Sequence, residues 1–459
     1  ARLVRRATET DFPAGLAEER ATFLRLRDSD EAIALRHLFF AEREAAKVDG
    51  LDGIRPRSVA TVAVIGGGTM GSGIAAAASA AGFPVTLIER DQHAADQGRA
   101  RALEAIVRST ASGRVTQGQA DAQAARIAAT ADWNAVSTAD LVIEAVFEDM
   151  DAKRSVFAEL DARAKQSAVL ATNTSYLDLD AIAALTTRPS QVLGLHFFSP
   201  ANVMRLLEVV RGAATAPDVL ATGLAFARRL NKIAVVARPC EGFIGNRIWK
   251  AFRSQLECML EEGASPESID AAMVSFGFPM GPFQVFDLSG LDIAWAQRKR
   301  AAATRPPSAR YVRLPDLVCE AGRLGRKTGS GWYRYPDGKG AEPDPWIAEL
   351  LVRERARLGI APRDIPPAEI IARGLAIMVN EGAALLDEGI AARASDIDVV
   401  LTTGYGFPAV KGGPMHWAER RGLAETLADA TTAIAAADIG GTVSPLLHRL
   451  AQAGSGFGR

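Results

Sequence analysis

Apolar and polar positions divide the chain into three kinds of pattern. Over residues 1–56 charged side chains are dense, and Leu24, Leu26, Ala32, Leu35, Leu38 and Phe39 recur near helical spacing. That predicts an N-terminal helical segment with Leu35, Leu38 and Phe39 as its apolar stripe. Gly50, Gly53 and Pro56 then break the pattern and mark a linker. From Val59 onward, short apolar runs alternate with helical stretches. Val62-Ala63-Val64-Ile65 predicts a strand covered on both faces. A helix over 74–81 follows, Gly82 stops it, and Val85-Thr86-Leu87-Ile88 predicts the next strand. Runs at 140–146 and 168–171 repeat the theme, which continues to about Arg238-Pro239. Such alternation argues for a doubly wound sheet.

After Pro239 the pattern is mainly helical, and two stretches resemble each other. The first holds Gly263, Ile269-Asp270, Gly277-Phe278-Pro279 and Gly281-Pro282; the second holds Gly389, Ile397-Asp398, Gly406-Phe407-Pro408 and Gly413-Pro414. The series predicts a tandem duplication of a small helical domain. Counted back from a shared Glu-Gly pair, Asn246 aligns with Ala372 and Arg247 with Arg373. The second copy is therefore expected to be structural, packing on the first as a dimer partner would and allowing a monomer. Between the copies, residues 325–338 are rich in Gly, Lys and aromatics and predict a loop leading to a linker around Pro343 and Pro345. The expected fold class is an α/β Rossmann domain followed by two tandem mainly α-helical domains, with an N-terminal linker helix. The expected boundaries are 1–56, 57–238, 239–345 and 346–459.

Composition narrows the function classes. Hydrophobic residues make up 48% and charged residues 23%, with a net charge of −1. That is ordinary globular composition, and it argues against nucleic acid or an anionic membrane as the main partner. The odd set Cys240, Cys258 and Cys319 shows no metal spacing, and the five histidines are scattered, so no metal site is expected. No apolar run is long enough for a membrane span, and no secretory signal follows the N-terminus. A cytoplasmic location is the resulting expectation. The chain begins with Ala1 rather than Met, which suggests a piece of a longer protein.

Gly66-Gly67-Gly68-Thr69-Met70-Gly71 follows the first predicted strand and opens a helix, and the next strand ends in Glu89, about 20 residues beyond Gly66. Gly66 permits the tight turn, Gly68 the approach of a pyrophosphate, and Gly71 close packing of helix on strand. The helix N-terminus, at Thr69 and Met70, offers free N–H groups to phosphates. Glu89 suits the two ribose hydroxyls and repels a 2′-phosphate, so the expected cofactor is NAD, although Arg90 follows it.

Three segments downstream carry chemistry. Thr172-Asn173-Thr174-Ser175 lies just beyond a strand, where open α/β sheets bind ligands. The apolar runs 193–198 and 206–210 each hold one ionisable residue, His196 and Glu208, separated by a Pro-containing bend. Two adjacent strands would set the pair side by side. Oxidation of an alcohol needs a base for the hydroxyl proton, and histidine titrates near working pH. A carboxylate behind it fixes the tautomer and stabilises the imidazolium. Taken singly, His196 reads as a core histidine and Glu208 as half of an ion pair with Arg205; the nucleotide fingerprint upstream favours catalysis.

GGGTMGSGIA, DLVIEAVFED, ATNTSYL, GLHFFSPANVMRLLEVV and PCEGFIGNRI together resemble the 3-hydroxyacyl-CoA dehydrogenase family over about 59–335. The second repeat, with GYGFPAVKGGPMHWA, is similar to the multifunctional fatty-acid oxidation enzymes, in which a hydratase precedes the dehydrogenase. The resemblance implies His196 as the base, Glu208 as its partner, and Ser175 and Asn246 as groups for the substrate oxygen or thioester. It implies Glu89 as the adenosine-ribose acid and Ala145, Glu148, Lys153 and Asn173 around the nicotinamide half. Tyr176 and Asn202 depart from the usual residues. The implied activity is reversible NAD-dependent oxidation of an (S)-3-hydroxyacyl-CoA in β-oxidation, on a chain detached from an enoyl-CoA hydratase part. Two rivals stand beside it: a β-hydroxyacid dehydrogenase acting on a free acid, and a non-catalytic NAD-binding scaffold.

Overall fold

The computed structural model describes residues 2–302, 305, 310–338, 340–438 and 441–458. By internal contacts the chain divides into two compact units. One comprises 42–248 together with 385–405; the other comprises 1–41, 249–384 and 406–459.

The first unit is built on an eight-stranded sheet. Its strands are β1 (Val62–Ile65), β2 (Val85–Ile88), β3 (Ile127–Thr130), β4 (Leu141–Glu144), β5 (Val169–Thr172), β6 (Val192–Phe197), β7 (Leu206–Val210) and β8 (Ile233–Ala237). Their spatial order is β3-β2-β1-β4-β5-β6-β7-β8. The first six are parallel in the order 3-2-1-4-5-6, the Rossmann arrangement. β7 returns antiparallel to β6, and β8 runs parallel to β7. Strands β1, β4, β5, β6 and β7 are buried along their whole length, which is why they read as apolar runs rather than as alternation. Their core packs Val64, Leu87, Ile143, Leu195 and Val209 among the helices on the faces. The doubly wound parallel sheet expected from the sequence is observed, and a helical region follows it.

Segment 385–405 belongs to this unit through specific contacts. Arg238 N–H donates to the Ile390 carbonyl at 3.0 Å, and Ala237 forms an isolated antiparallel bridge with Ala391. Helix Ala394–Gly404 brings Gly404 so close to Leu206 that an added Cβ would sit 2.5 Å from its side chain.

The second unit is helical. Helices Pro266–Phe276 and Pro282–Ser289 follow the long helix Gly245–Glu262 along the chain, and Pro414–Arg421 follows Pro367–Asp387, with Ala394–Gly404 of the first unit between them in the same sequence order. Within 325–338, the Asp287 carboxylate accepts the N–H groups of Trp332 and Tyr333 and the Tyr335 hydroxyl, at 2.9–3.0 Å. Burial pushes the Asp287 carboxyl up to about 6 and that of Asp270 up to about 7. The predicted loop is thus tied to a buried acid.

The N-terminal segment forms three helices, Arg2–Glu9, Phe12–Arg27 and Asp30–Glu44. The buried face of the third is Ala34, Leu38 and Ala41, whereas Leu35 and Phe39 are exposed. Leu38 therefore packs as expected and its two companions do not. The small side chains at 34 and 41 share a face with Leu38 at helical spacing, and that face is the one buried. His37 of this helix stacks on His416, centroids 4.4 Å apart, and Asp30 pairs with Arg420 at 2.8 Å.

Candidate active site

The glycine turn after β1 has the geometry its sequence demands. Gly66 has φ +95°, and a Cβ there would lie 2.8 Å from the Ala145 carbonyl oxygen beyond β4. A Cβ on Gly71 would fall 1.8 Å from the Gly66 carbonyl oxygen, so only glycine lets the helix Thr69–Ala80 start against the strand. A Cβ on Gly68 would meet nothing within 4 Å, which leaves the backbone of the helix N-terminus open to an approaching phosphate. Glu89 closes the turn: its Oε1 accepts the Gly67 N–H at 2.7 Å. Arg101 holds the Gly67 carbonyl from the other side at 2.7–2.9 Å. Gly66, Gly68, Thr69, Met70, Gly71 and Glu89 are thus brought together, and the cradle fits a dinucleotide.

Beyond β4 and β5 lies a buried charged network. Lys153 and Glu144 are both 0% exposed, with Nζ 2.9 and 2.8 Å from the two carboxylate oxygens. Thr172 Oγ1 donates to Glu144 at 2.6 Å. Excellent geometry and extra hydrogen bonds are what a buried pair requires to offset its desolvation. Glu148 Oε1 accepts from Thr174 Oγ1 at 2.6 Å and from the N–H groups of Ser175 and Tyr176, each at 2.9 Å. Burial opposes the ionisation of Glu148, yet the Lys153 charge and these hydrogen bonds hold it below the usual carboxylate range. Asn173 Oδ1 accepts the Phe197 N–H at 2.9 Å, joining the end of β6 to this loop. Ala145 follows β4 directly and donates its N–H to Ile65 at 2.8 Å. Sequence reasoning named Lys153 and Glu148 but missed Glu144. The available signal was an acid closing the apolar run Leu141-Val142-Ile143, with a lysine in the first turn of the next helix.

The central pair comes from strand register. His196 on β6 and Glu208 on β7 are direct partners in the antiparallel ladder, so their side chains share a face. Nδ1 of His196 lies 2.6 Å from Oε2 of Glu208, with the histidine 3% and the glutamate 0% exposed. The second oxygen, Oε1, accepts the N–H groups of Ile244 and Gly245 at 3.2 and 3.0 Å, at the start of helix Gly245–Glu262. A carboxylate satisfied by these donors fixes the imidazole with its proton on Nδ1 and leaves Nε2 to accept. Nε2 is 3.1 Å from Ser175 Oγ. Phe198 and Phe243 pack on the imidazole, with centroids 4.6 and 5.5 Å away. Arg205, offered by the sequence as a partner for Glu208, instead pairs with Glu42 at 3.2 Å. Asn246 lies in the first turn of the same helix whose N-terminus holds Glu208. Its Oδ1 accepts from the Tyr405 hydroxyl at 2.8 Å. Ser175, His196 and Glu208 are therefore joined by hydrogen bonds, and Asn246 follows directly on the Gly245 whose N–H holds Glu208.

The chain as a whole has known relatives. The pattern of the 3-hydroxyacyl-CoA dehydrogenase NAD binding domain matches residues 61–240, and that of the 3-hydroxyacyl-CoA dehydrogenase C-terminal domain matches 242–335. The chain belongs to the 3-hydroxyacyl-CoA dehydrogenase family. A solved (S)-3-hydroxybutyryl-CoA dehydrogenase from Ralstonia eutropha is 33% identical, with a TM-score of 0.57, 61% of this chain covered and 100% of that one. The dehydrogenase part of multifunctional enzyme 1 from C. elegans is 29% identical, with a TM-score of 0.66 over 90% of this chain and 96% of that one. The peroxisomal bifunctional enzyme of Cavia porcellus is 41% identical over 444 residues, 93% of this chain and 61% of that protein. The chain thus spans about three fifths of the length of that relative.

Proposed function

We propose that this family member catalyses reversible NAD-dependent oxidation of an (S)-3-hydroxyacyl-CoA to the 3-ketoacyl-CoA, with His196 as general base. The observation that carries the reading is the hydrogen-bonded chain Ser175–His196–Glu208 on the same sheet as the glycine turn. NAD held by that turn supplies the acceptor for the hydride that leaves C3 of the substrate. His196 Nε2 takes the hydroxyl proton as the carbonyl forms. The positive charge that develops on the ring is met by Glu208, whose two backbone donors keep its carboxylate aimed at Nδ1. Ser175 Oγ and the Asn246 amide bind the substrate oxygens. Lys153, fully buried, serves the cofactor side through Glu144 and Glu148 rather than by its own surface. In the reverse direction each group returns what it took.

The tandem duplication has support in reciprocal contacts. Arg247 of the first copy pairs with Glu388 of the second at 2.5 Å, and Arg373 pairs with Glu262 at 2.6 Å. Gly277 abuts Pro408, and Gly406 abuts Pro279. Exchange of equivalent contacts is the mark of an isologous interface, here between two repeats of one chain. That supports a chain that needs no second copy to complete the fold of its helical part.

The bifunctional relative carries a second activity by name, and only the dehydrogenase step is assigned to these residues. No helix among the described residues is long and apolar enough to cross a membrane. The relative's name places it in peroxisomes, which sets an organelle lumen beside the cytoplasm as the proposed location. The test is NADH formation with (S)-3-hydroxybutyryl-CoA, with a long-chain homologue and with free 3-hydroxybutyrate. Turnover of a thioester and not of the free acid supports the proposal. Turnover of the free acid alone, or of neither, contradicts it.

A further inference from the structure

We propose that Tyr405, contributed by the second helical repeat, is a positioning residue of the dehydrogenase site, orienting the Asn246 amide toward substrate. The proposal rests on the reading of Asn246 as a substrate-binding group and goes beyond it.

Three contacts and a neighbouring ion pair place the tyrosine. Its hydroxyl donates to Asn246 Oδ1 at 2.8 Å. Its ring lies over Gly245, where a Cβ would meet the ring at 2.3 Å, and the Gly245 N–H is one of the two backbone donors to Glu208. Its edge meets Phe198, centroids 5.6 Å apart, and Phe198 packs on His196. Arg247, one residue past Asn246, grips Glu388 with two hydrogen bonds of 2.5 and 2.7 Å, tying the segment that carries Tyr405 to the helix start. The side chain is thus fixed between the dyad's supports and the amide.

The chemistry follows from the donor inventory. An amide has one oxygen and one NH₂ group, and either can face a ligand. With Oδ1 engaged by a phenol, the NH₂ donors are the part left for substrate, as a carbonyl or thioester oxygen requires. Burial, with the Glu208 carboxylate near, pushes the Tyr405 phenol well above the ordinary tyrosine range, so it is a neutral donor throughout the working pH.

The repeat itself supplies an independent argument. Tyr405 immediately precedes the shared Gly-Phe-Pro of the second copy, and the first copy has Phe276 in that place. Asn246 of the first copy aligns with Ala372 of the second. The hydroxyl and the amide are therefore present together in one pairing and replaced together by Phe276 and Ala372 in the other. A hydrogen bond kept only for the fold would be as useful in either copy. The second repeat is accordingly more than the structural partner its missing amide suggests.

The test is a double-mutant cycle on the full chain, using Tyr405→Phe, Asn246→Ala and both together. NADH formation from (S)-3-hydroxybutyryl-CoA, NAD affinity and unfolding temperature are measured for each. Tyr405→Phe should lower kcat/KM for the thioester by about 3- to 10-fold, the worth of one neutral hydrogen bond, with NAD affinity unchanged. In the Asn246→Ala background the same change should cost nothing further. Equal activity of Tyr405→Phe and wild type, or costs that add in the double variant, would overturn the proposal. If Asn246→Ala alone had normal activity, the reading of Asn246 beneath it would fall instead.

Discussion

Glu208 divides its two oxygens between the imidazole and the start of a helix: Oε2 meets His196 Nδ1 at 2.6 Å, while Oε1 accepts the Gly245 N–H at 3.0 Å. Replacement by glutamine should therefore fail on both sides. One amide oxygen cannot serve the imidazole and the helix start, and the amide NH₂ would confront N–H donors. Glu208→Gln is expected to lower kcat by at least about 10-fold and to cost about 1–3 kcal/mol of stability through unsatisfied buried groups. Steady-state NADH formation and urea unfolding check the two effects, and a variant normal in both would show that the shared carboxylate matters little.

Much of this site was legible because its parts are local in sequence or fixed by strand period. A His and a Glu on two apolar runs joined by a short bend had to pair in antiparallel register if they were to share a face, and they do. The glycine turn was equally readable, since each glycine answers a separate steric demand. What escaped was long-range. Glu144 reads as the polar end of a strand until Lys153 is folded back on it. Tyr405 lies more than 150 residues from Asn246 and reached the site only through the packing of a repeat, which pattern analysis treats as a unit. The third N-terminal helix was found, but its buried face was set by which side chains pack, and periodicity favoured the larger Leu35 and Phe39 over Ala34 and Ala41.

Cofactor choice should follow Glu89. Its carboxylate already accepts from the glycine turn at 2.7 Å, so a 2′-phosphate would be set against a fixed negative charge. Like charges so placed cost several kcal/mol, and kcat/KM should favour NAD over NADP by at least about 100-fold. Glu89→Gln should narrow the ratio chiefly by improving NADP. Equal efficiency of the wild-type protein with both cofactors would refute the assignment.

The N-terminal helix should loosen in acid. Burial, with His37 and Arg420 near, lowers His416 to about 4 from an ordinary 6.5. A group with a depressed folded pKa contributes its full stability above the unfolded value. That contribution is lost as pH falls from about 6.5 toward 4. Asp30 acts in the opposite sense, but its pair with Arg420 is largely exposed and worth little. Protection factors over residues 30–41, taken against the intrinsic exchange rate at each pH, should therefore fall between pH 7 and pH 5, and His416→Phe, which keeps a ring against His37, should flatten the change. An exchange rate that responds to pH only through its intrinsic chemistry would contradict this.

The most direct test of the account is single-turnover NADH formation by His196→Gln with (S)-3-hydroxybutyryl-CoA, alongside its affinity for NAD. Loss of a general base is worth about 10²–10⁴-fold, and His196 contributes no atom to the glycine turn. The prediction is a rate lowered by that factor with NAD binding unchanged. A rate within a few-fold of wild type would contradict the assignment of His196 as the base.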